Sequence, residues 1–401
     1  MFLLCHFRFF GPCFLFSWLF TGSVDLDVFR IPLPLSFSVC FVFSSYFRFF
    51  AFFFRRMKEW NLMHSKLSFS STTTTTTMSD TCAAAADTGC PYVTYVAYIL
   101  AIPTFIWLLA YSIPQLYMVL RPVPDLKKRY NATWALVTGA GSGIGKALAF
   151  KLASQGLNVV IVSLDDDFLK TTMKEIKETY PDQEFRSVGV TFSPGIPYLE
   201  KIKEATKDLD INIVFNNAGF ITLGFLDQAP LGKLLANVEC NATAAVNITH
   251  HFVQSMVKNK RKGCIVYTSS VAGFIPTPFA AMYASTKAFV SQMAACLHIE
   301  VQSLGIDVCA VHPSPVSSNF YDKVEYKIEL MEAAQKSAVP PQDLPNAIFK
   351  SIGACCLRDL GGMAVGTRMG TFFLPYNFFT ACFTMAAPFL PDYKTHNATR
   401  K

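Results

Sequence analysis

The sequence predicts an α/β fold, a doubly wound parallel sheet behind one N-terminal transmembrane helix. Three observations predict it. Residues 92–120 carry no charged side chain. A β-rich run, a glycine turn and a helical stretch follow one another over residues 132–156, "ATWALVTGAGSGIGKALAFKLASQG". Further short apolar runs, suited to strands buried on both faces, recur at "NVVIVS", "INIVF", "IVYTSS" and "GIDVCAV".

The chain has 401 residues, 52% of them hydrophobic, and a mean hydropathy of +0.32. That value directs attention to membrane segments. The net charge is +7, but residues 1–77 supply seven Lys/Arg against three Asp/Glu. The surplus left to the rest, +3, is too weak to argue for nucleic acid. The twelve cysteines form no CxxC pair, so neither a zinc site nor a disulfide framework is legible. His250, His251 and His312 lack metal-ligand spacing, and no metal is expected.

Residues 1–77 read as a low-complexity extension. Residues 1–54 hold 17 of the 38 phenylalanines without helical or strand period, and a threonine tract then runs up to Met78. The expectation is that translation starts at Met78; a signal or anchor segment is the alternative. The stretch Tyr92–Leu120 exceeds the roughly 20 residues a bilayer requires, and it has Tyr near both ends. Pro103 and Pro114 are tolerated in such helices. Arg121, Lys127, Lys128 and Arg129 follow it, whereas residues 78–91 hold two Asp and no Lys or Arg. The positive-inside rule therefore places the C-terminal side in the cytosol. A second apolar region, residues 370–390, is broken by Pro375 and Pro388. It is expected to associate with a membrane without spanning it, within an apolar tail over 361–401.

The glycine turn has a physical logic of the Rossmann type. Gly139 permits a tight turn, Gly143 lets a pyrophosphate approach the backbone, and Gly145 lets the helix pack on the strand. The helix N-terminus then presents free N–H groups and its positive dipole end to phosphate. Downstream, "NNAG" (Asn216–Gly219) follows a strand. Tyr283 and Lys287 lie four apart, on one helix face. Ser270 precedes Tyr283 by 13 residues. A nearby ammonium is expected to lower the phenol pKa of Tyr283, and Ser270 can hold a substrate oxygen as charge develops on it.

These motifs, Thr138-Gly139-x-x-x-Gly143-x-Gly145, Asn216–Gly219, Ser270 and Tyr283-x-x-x-Lys287, resemble those of the short-chain dehydrogenase/reductase family. The resemblance implies a domain over 130–360 and a cofactor site formed by Gly139, Ser142, Gly143, Ile144, Gly145, Ser163, Asn217, Ala218, Gly219, Tyr283, Lys287 and Val316. It implies Asn241, Ser270, Tyr283 and Lys287 as catalytic residues, with Ser270 also touching substrate. The helix ahead of "DLKKRYNATWALVTGAGSGIGKALA" is similar to the membrane-bound very-long-chain 3-oxoacyl-CoA reductase and 17β-hydroxysteroid dehydrogenase branch. That likeness implies an endoplasmic reticulum enzyme facing the cytosol. It would use NADP(H) in preference to NAD(H) to reduce the 3-keto group of a long-chain acyl-CoA during elongation. A steroid ketone is the alternative substrate, and a non-enzymatic membrane-anchored scaffold the alternative role. The family also implies a homodimer across helices 241–259 and 283–303, and elongation partners.

The sequence departs from the family at three places. Ser163 and Leu164 stand where an NAD-binding acid or an NADP-binding Arg would be expected. Thr191 replaces an adenine-binding Asp. Ser314 replaces the Gly of the loop that carries Val316. The run Asp165–Asp167 reads as a helix start, with Asp165 as N-cap and Asp166 and Asp167 at the dipole's positive end. Slipped by two residues, Asp165 could instead bind a ribose and favour NAD.

Overall fold

The sheet has seven parallel strands in the order β3-β2-β1-β4-β5-β6-β7. They are β1 Trp134–Thr138, β2 Asn158–Ser163, β3 Phe185–Gly189, β4 Ile211–Asn216, β5 Gly263–Thr268, β6 Ile306–Pro313 and β7 Leu357–Leu360. The computed structural model describes residues 91–321 and 328–398. The extension at 1–77 and the proposed start at Met78 lie outside them. The described residues from Tyr98 on form one compact unit.

Each central strand is buried on both faces, which is why its apolar residues run on without alternation. Ala135 and Val137 of β1 join one core with Leu148, Leu152 and Phe349. Trp134 and Leu136 join the other with Ile202, Ile248 and Val290. Helices α2 Leu126–Tyr130, α3 Gly143–Ser154, α4 Asp167–Thr179 and α10 Leu344–Ser351 cover the first face. Helices α5 Tyr198–Thr206, α7 Ala244–Lys258 and α8 Ala281–Val301 cover the second. Between these, α6 (Leu231–Val238) runs into a π turn at Glu239–Thr243, and α9 is Glu329–Gln335. The chain reverses its direction of growth between β1 and β4, and their C-terminal ends open the crevice where such sheets bind nucleotides.

Helix α4 corrects one local expectation. Its N-cap is Asp166, which accepts from the Leu169 amide at 3.1 Å; Asp165 instead lies against Gly189. The run still serves as a helix start, one residue later than expected. Leu169 and Ile176 are buried, with Met173 and Tyr180 packed beside them.

The apolar helix α1 covers Pro91–Leu120, and its Tyr95–Leu120 portion is long and apolar enough to cross a membrane. From residue 98 on, one stripe of it docks on the rest. Met118 is buried, Gln115 bonds Arg358, the Tyr111 hydroxyl donates to Asp359 at 2.9 Å, and Trp107 stacks on Phe372 at 4.0 Å. After β7 come α11 Gly362–Phe373, α12 Tyr376–Ala386 and α13 Pro391–Asn397. Phe373, Tyr376, Phe378, Met385 and Phe389 of this segment are exposed.

Candidate active site

The glycine turn closes as its spacing requires. Gly139 has φ +64°, and a Cβ there would come within 2.8 Å of the Ala218 backbone. A Cβ on Gly145 would strike the Gly139 carbonyl, so this glycine is what lets α3 lie on β1. Gly143 has a reason beyond phosphate access: its φ is +54° and a Cβ would meet Ser318 at 3.2 Å. Ser142 caps α3 without a side-chain hydrogen bond, leaving the first-turn amides to the crevice. Ser163 ends β2 beside this turn, its hydroxyl 2.7 Å from where a Gly141 Cβ would sit. Gly141, which sequence reasoning did not single out, is thus needed for the close approach of Ser163. A glycine-lined helix N-terminus at the sheet's switch point fits a dinucleotide pyrophosphate.

The Asn216–Gly219 segment ties the crevice together. The Asn217 amide group donates to the Thr138 carbonyl at 3.1 Å and accepts from the Thr268 hydroxyl at 3.0 Å. Asn217 therefore braces the tips of β1, β4 and β5. The Thr138 hydroxyl accepts from the amides of Asn217 and Ala218 at 3.0 and 2.9 Å. Gly219 leaves room for two of the expected catalytic groups: a Cβ there would lie 3.0 Å from Asn241 Oδ1 and 3.2 Å from Lys287 Nζ.

Asn241 sits in the π turn between α6 and α7, a distortion often found at functional sites. Its side chain grips the backbone of Phe220, accepting from N–H and donating to C=O, each at 2.9 Å, and also donates to Thr286. Ser270 caps the 3₁₀ turn Val271–Phe274 after β5, and that turn lies against α8 so closely that a Cβ on Gly273 would come within 2.8 Å of the Lys287 backbone. Tyr283 and Lys287 share the buried face of α8. Lys287 Nζ donates to the Thr268 carbonyl at 2.7 Å and lies 5.6 Å from the Tyr283 ring centroid. The four residues expected to be catalytic thus meet at the C-terminal ends of β4 and β5.

Their electrostatics differ from the sequence expectation. Burial raises the Tyr283 pKa above the usual phenol range, and Tyr321 adds to this, against the Ser270 hydrogen bond that lowers it. The Lys287 ammonium, expected to lower this value, is instead directed at the Thr268 carbonyl, 5.6 Å from the Tyr283 ring centroid. Burial pulls Lys287 itself down to about 8. A lysine held low destabilises the fold most when the pH is below its folded value, and the penalty fades between about 8 and 10.5. In that window the cofactor-free wild type should therefore gain melting temperature relative to Lys287→Met as pH rises. Parallel unfolding curves of the two proteins at every pH would refute this.

Aromatic rings close the outer side. Phe320 packs on Tyr283 with centroids 5.8 Å apart. Phe279, held at φ +66°, contacts Phe225, Tyr393 and His396. Val316 is buried and bridges Val339. Ser314, the residue in place of glycine, accepts from the Ala364 amide at 3.1 Å and so pins this loop to α11.

A family model described as short chain dehydrogenase matches residues 133–328. Inactive hydroxysteroid dehydrogenase-like protein 1 of Mus musculus is 36% identical over 213 residues, 52% of this chain and 64% of that protein. Putative steroid dehydrogenase 3 of Caenorhabditis elegans is 30% identical over 260 residues, 62% of this chain and 78% of that one. Very-long-chain 3-oxoacyl-CoA reductase of Mus musculus is 36% identical over 193 residues, 46% of this chain and 60% of that one. The chain thus spans less than two thirds of the first and third of these relatives. Among solved structures, a 7beta-hydroxysteroid dehydrogenase aligns with a TM-score of 0.56 at 25% identity, covering 63% of this chain and 96% of that one. The matched segment, the strand order and the coverage of the nematode relative together show that the chain belongs to the short-chain dehydrogenase/reductase family.

Proposed function

We propose that this protein is a membrane-bound reductase that uses NADPH to reduce a lipid ketone, foremost the 3-keto group of a long-chain 3-oxoacyl-CoA. The observation that carries the reading is the placement of the Ser270 turn against the face of α8 that holds Tyr283 and Lys287, beside the glycine-lined helix terminus. The cofactor, when bound, supplies the hydride. Ser270 holds the ketone oxygen, and Tyr283, kept protonated by burial, delivers a proton to it. Lys287 positions the nicotinamide ribose and recharges the phenol, and Asn241 keeps the Phe220 backbone against that side of the site. Ser163 can hydrogen-bond a 2′-phosphate and carries no charge to repel one, which supports NADPH over NADH.

The membrane features support a lipid substrate. The part of the span from Tyr98 on, the exposed rings of α11 and α12, and the aromatic wall over Tyr283 form apolar surfaces on one compact unit. The basic residues after the span favour a cytosolic catalytic domain, and the likeness to the membrane-bound reductase branch favours the endoplasmic reticulum. The name of the mouse relative marks that protein as inactive. In this chain the intact Tyr283, Lys287 and Ser270 favour catalysis over a nucleotide-binding scaffold. The test is the full chain, purified in detergent, given NADPH and a long-chain 3-oxoacyl-CoA. NADPH oxidation is expected. Turnover of a steroid ketone alone would reassign the substrate, and NADPH binding without any turnover would establish the scaffold. Relative affinities for NADPH and NADH decide the cofactor.

A further inference from the structure

Behind the catalytic helix lies a buried polar cluster that the proposed chemistry does not use. Asp359 on β7 and His312 on β6 are 4% and 1% exposed. Buried ionisable groups are unfavourable unless partnered, and Asp359 has three partners. The Tyr111 hydroxyl of α1 donates to it at 2.9 Å, and Arg368 of α11 donates to both its oxygens at 3.0 and 3.2 Å. His312 Nδ1 lies 3.0 Å away, off the line of a well-formed hydrogen bond, so that contact is chiefly electrostatic. Burial favours the neutral acid, but His312 and Arg368 outweigh it and hold the Asp359 pKa at about 2.

The cluster continues to the catalytic residues by two routes. His312 Nε2 lies 2.9 Å from the Ser291 hydroxyl, which lies 2.7 Å from that of Ser269. Both serines contact the Lys287 carbonyl, at 2.9 and 2.8 Å. The tautomer that fits carries its proton on Nδ1 toward Asp359 and accepts from Ser291 at Nε2. On the second route, Arg368 lies 3.5 Å over the Phe274 ring, and Phe274 meets His312 edge to face at 5.4 Å. Phe274 closes the turn that Ser270 caps. One carboxylate therefore touches the apolar helix α1 and α11 on one side, and the supports of Lys287 and Ser270 on the other.

We propose that Asp359 and His312 are positioning residues that couple the seating of α1, through Tyr111, to the placement of Lys287 and Ser270. The proposal rests on the reductase reading for its kinetic consequence, but not for its structural one. Tyr111→Phe and Ser291→Ala each delete one hydroxyl and leave no buried charge unpaired. Each should lower kcat by roughly three- to tenfold, the equivalent of one ordinary hydrogen bond, with the ketone KM unchanged and NADPH affinity falling by no more than the same factor, since Lys287 also positions the ribose. Tyr111 and Ser291 do not touch, so independent structural effects would multiply. A shared relay instead predicts that the double variant is no slower than the slower single one.

A cofactor-free readout separates this from the activity itself. In the full chain in detergent, Tyr111→Phe should speed amide hydrogen exchange in peptides covering residues 266–272 and 284–293. Multiplicative kcat losses, or unchanged exchange in those peptides, would overturn the coupling. If no ketone is turned over by the wild type, the reductase reading fails, while the exchange result still decides the relay.

Discussion

Tyr283→Phe is expected to abolish ketone reduction while leaving NADPH binding intact. The substitution removes one hydroxyl and keeps the ring that packs on Phe320, so the aromatic wall and the turn of α8 are preserved. The lost hydroxyl is the one that burial keeps protonated, with Tyr321 adding to the effect. A positioned proton donor contributes roughly 10²–10⁴-fold, and kcat should fall by that order. KM should change little, because ring contacts bind ground state and transition state alike. Ser270→Ala should lose less, since Tyr283 can still donate its proton to an oxygen held less firmly. The measurement is NADPH oxidation under saturating ketone, with cofactor affinity followed by nicotinamide fluorescence. Retained turnover in Tyr283→Phe would remove this residue from the chemistry and with it the proposed mechanism.

What the sequence made legible is what local pattern can carry. The central strands β1 and β4 are continuous apolar runs, and Gly139 and Gly145 of the turn answer backbone contacts that only a residue without Cβ allows. Tyr283 and Lys287 sit on one face because a helix repeats every 3.6 residues. The Asp359 cluster was not legible, because its partners Tyr111, His312 and Arg368 lie 248, 47 and 9 residues away and no local spacing links them. The π turn at Asn241 was missed for a related reason. Within it Asn241 grips the Phe220 backbone, a contact across 21 residues that no local spacing reveals. The pKa of Tyr283 moved opposite to expectation because enclosure depends on Phe320 and Tyr321, which the fold brings in from beyond β6. Asp166 displaced Asp165 as the N-cap because three successive aspartates offer caps that differ by only one residue.

Gly145→Val is the substitution expected to harm cofactor binding most. A Cβ at this position would strike the Gly139 carbonyl and come within 2.7 Å of Asn217 Nδ2. The first obstacle is backbone in the tight turn, and the second is the side chain that braces β1, β4 and β5. Neither is a flexible tip that can swing away, so α3 must lift from β1 and carry its N-terminal amides with it. Because those amides are the proposed phosphate ligands, NADPH affinity should fall by at least about 100-fold, the loss of two charge-assisted hydrogen bonds. Overpacking of this kind costs about 1–3 kcal/mol, so the melting temperature should fall by several degrees as well. Gly232→Ala is the matched control: it lies in α6 with nothing within 4 Å of its added Cβ, and it should be neutral or slightly stabilising by helix propensity. Titrating NADPH into both variants and the wild type separates the two effects. If Gly145→Val binds NADPH with wild-type affinity, α3 does not hold the phosphates, and the cofactor site must be sought elsewhere on the sheet.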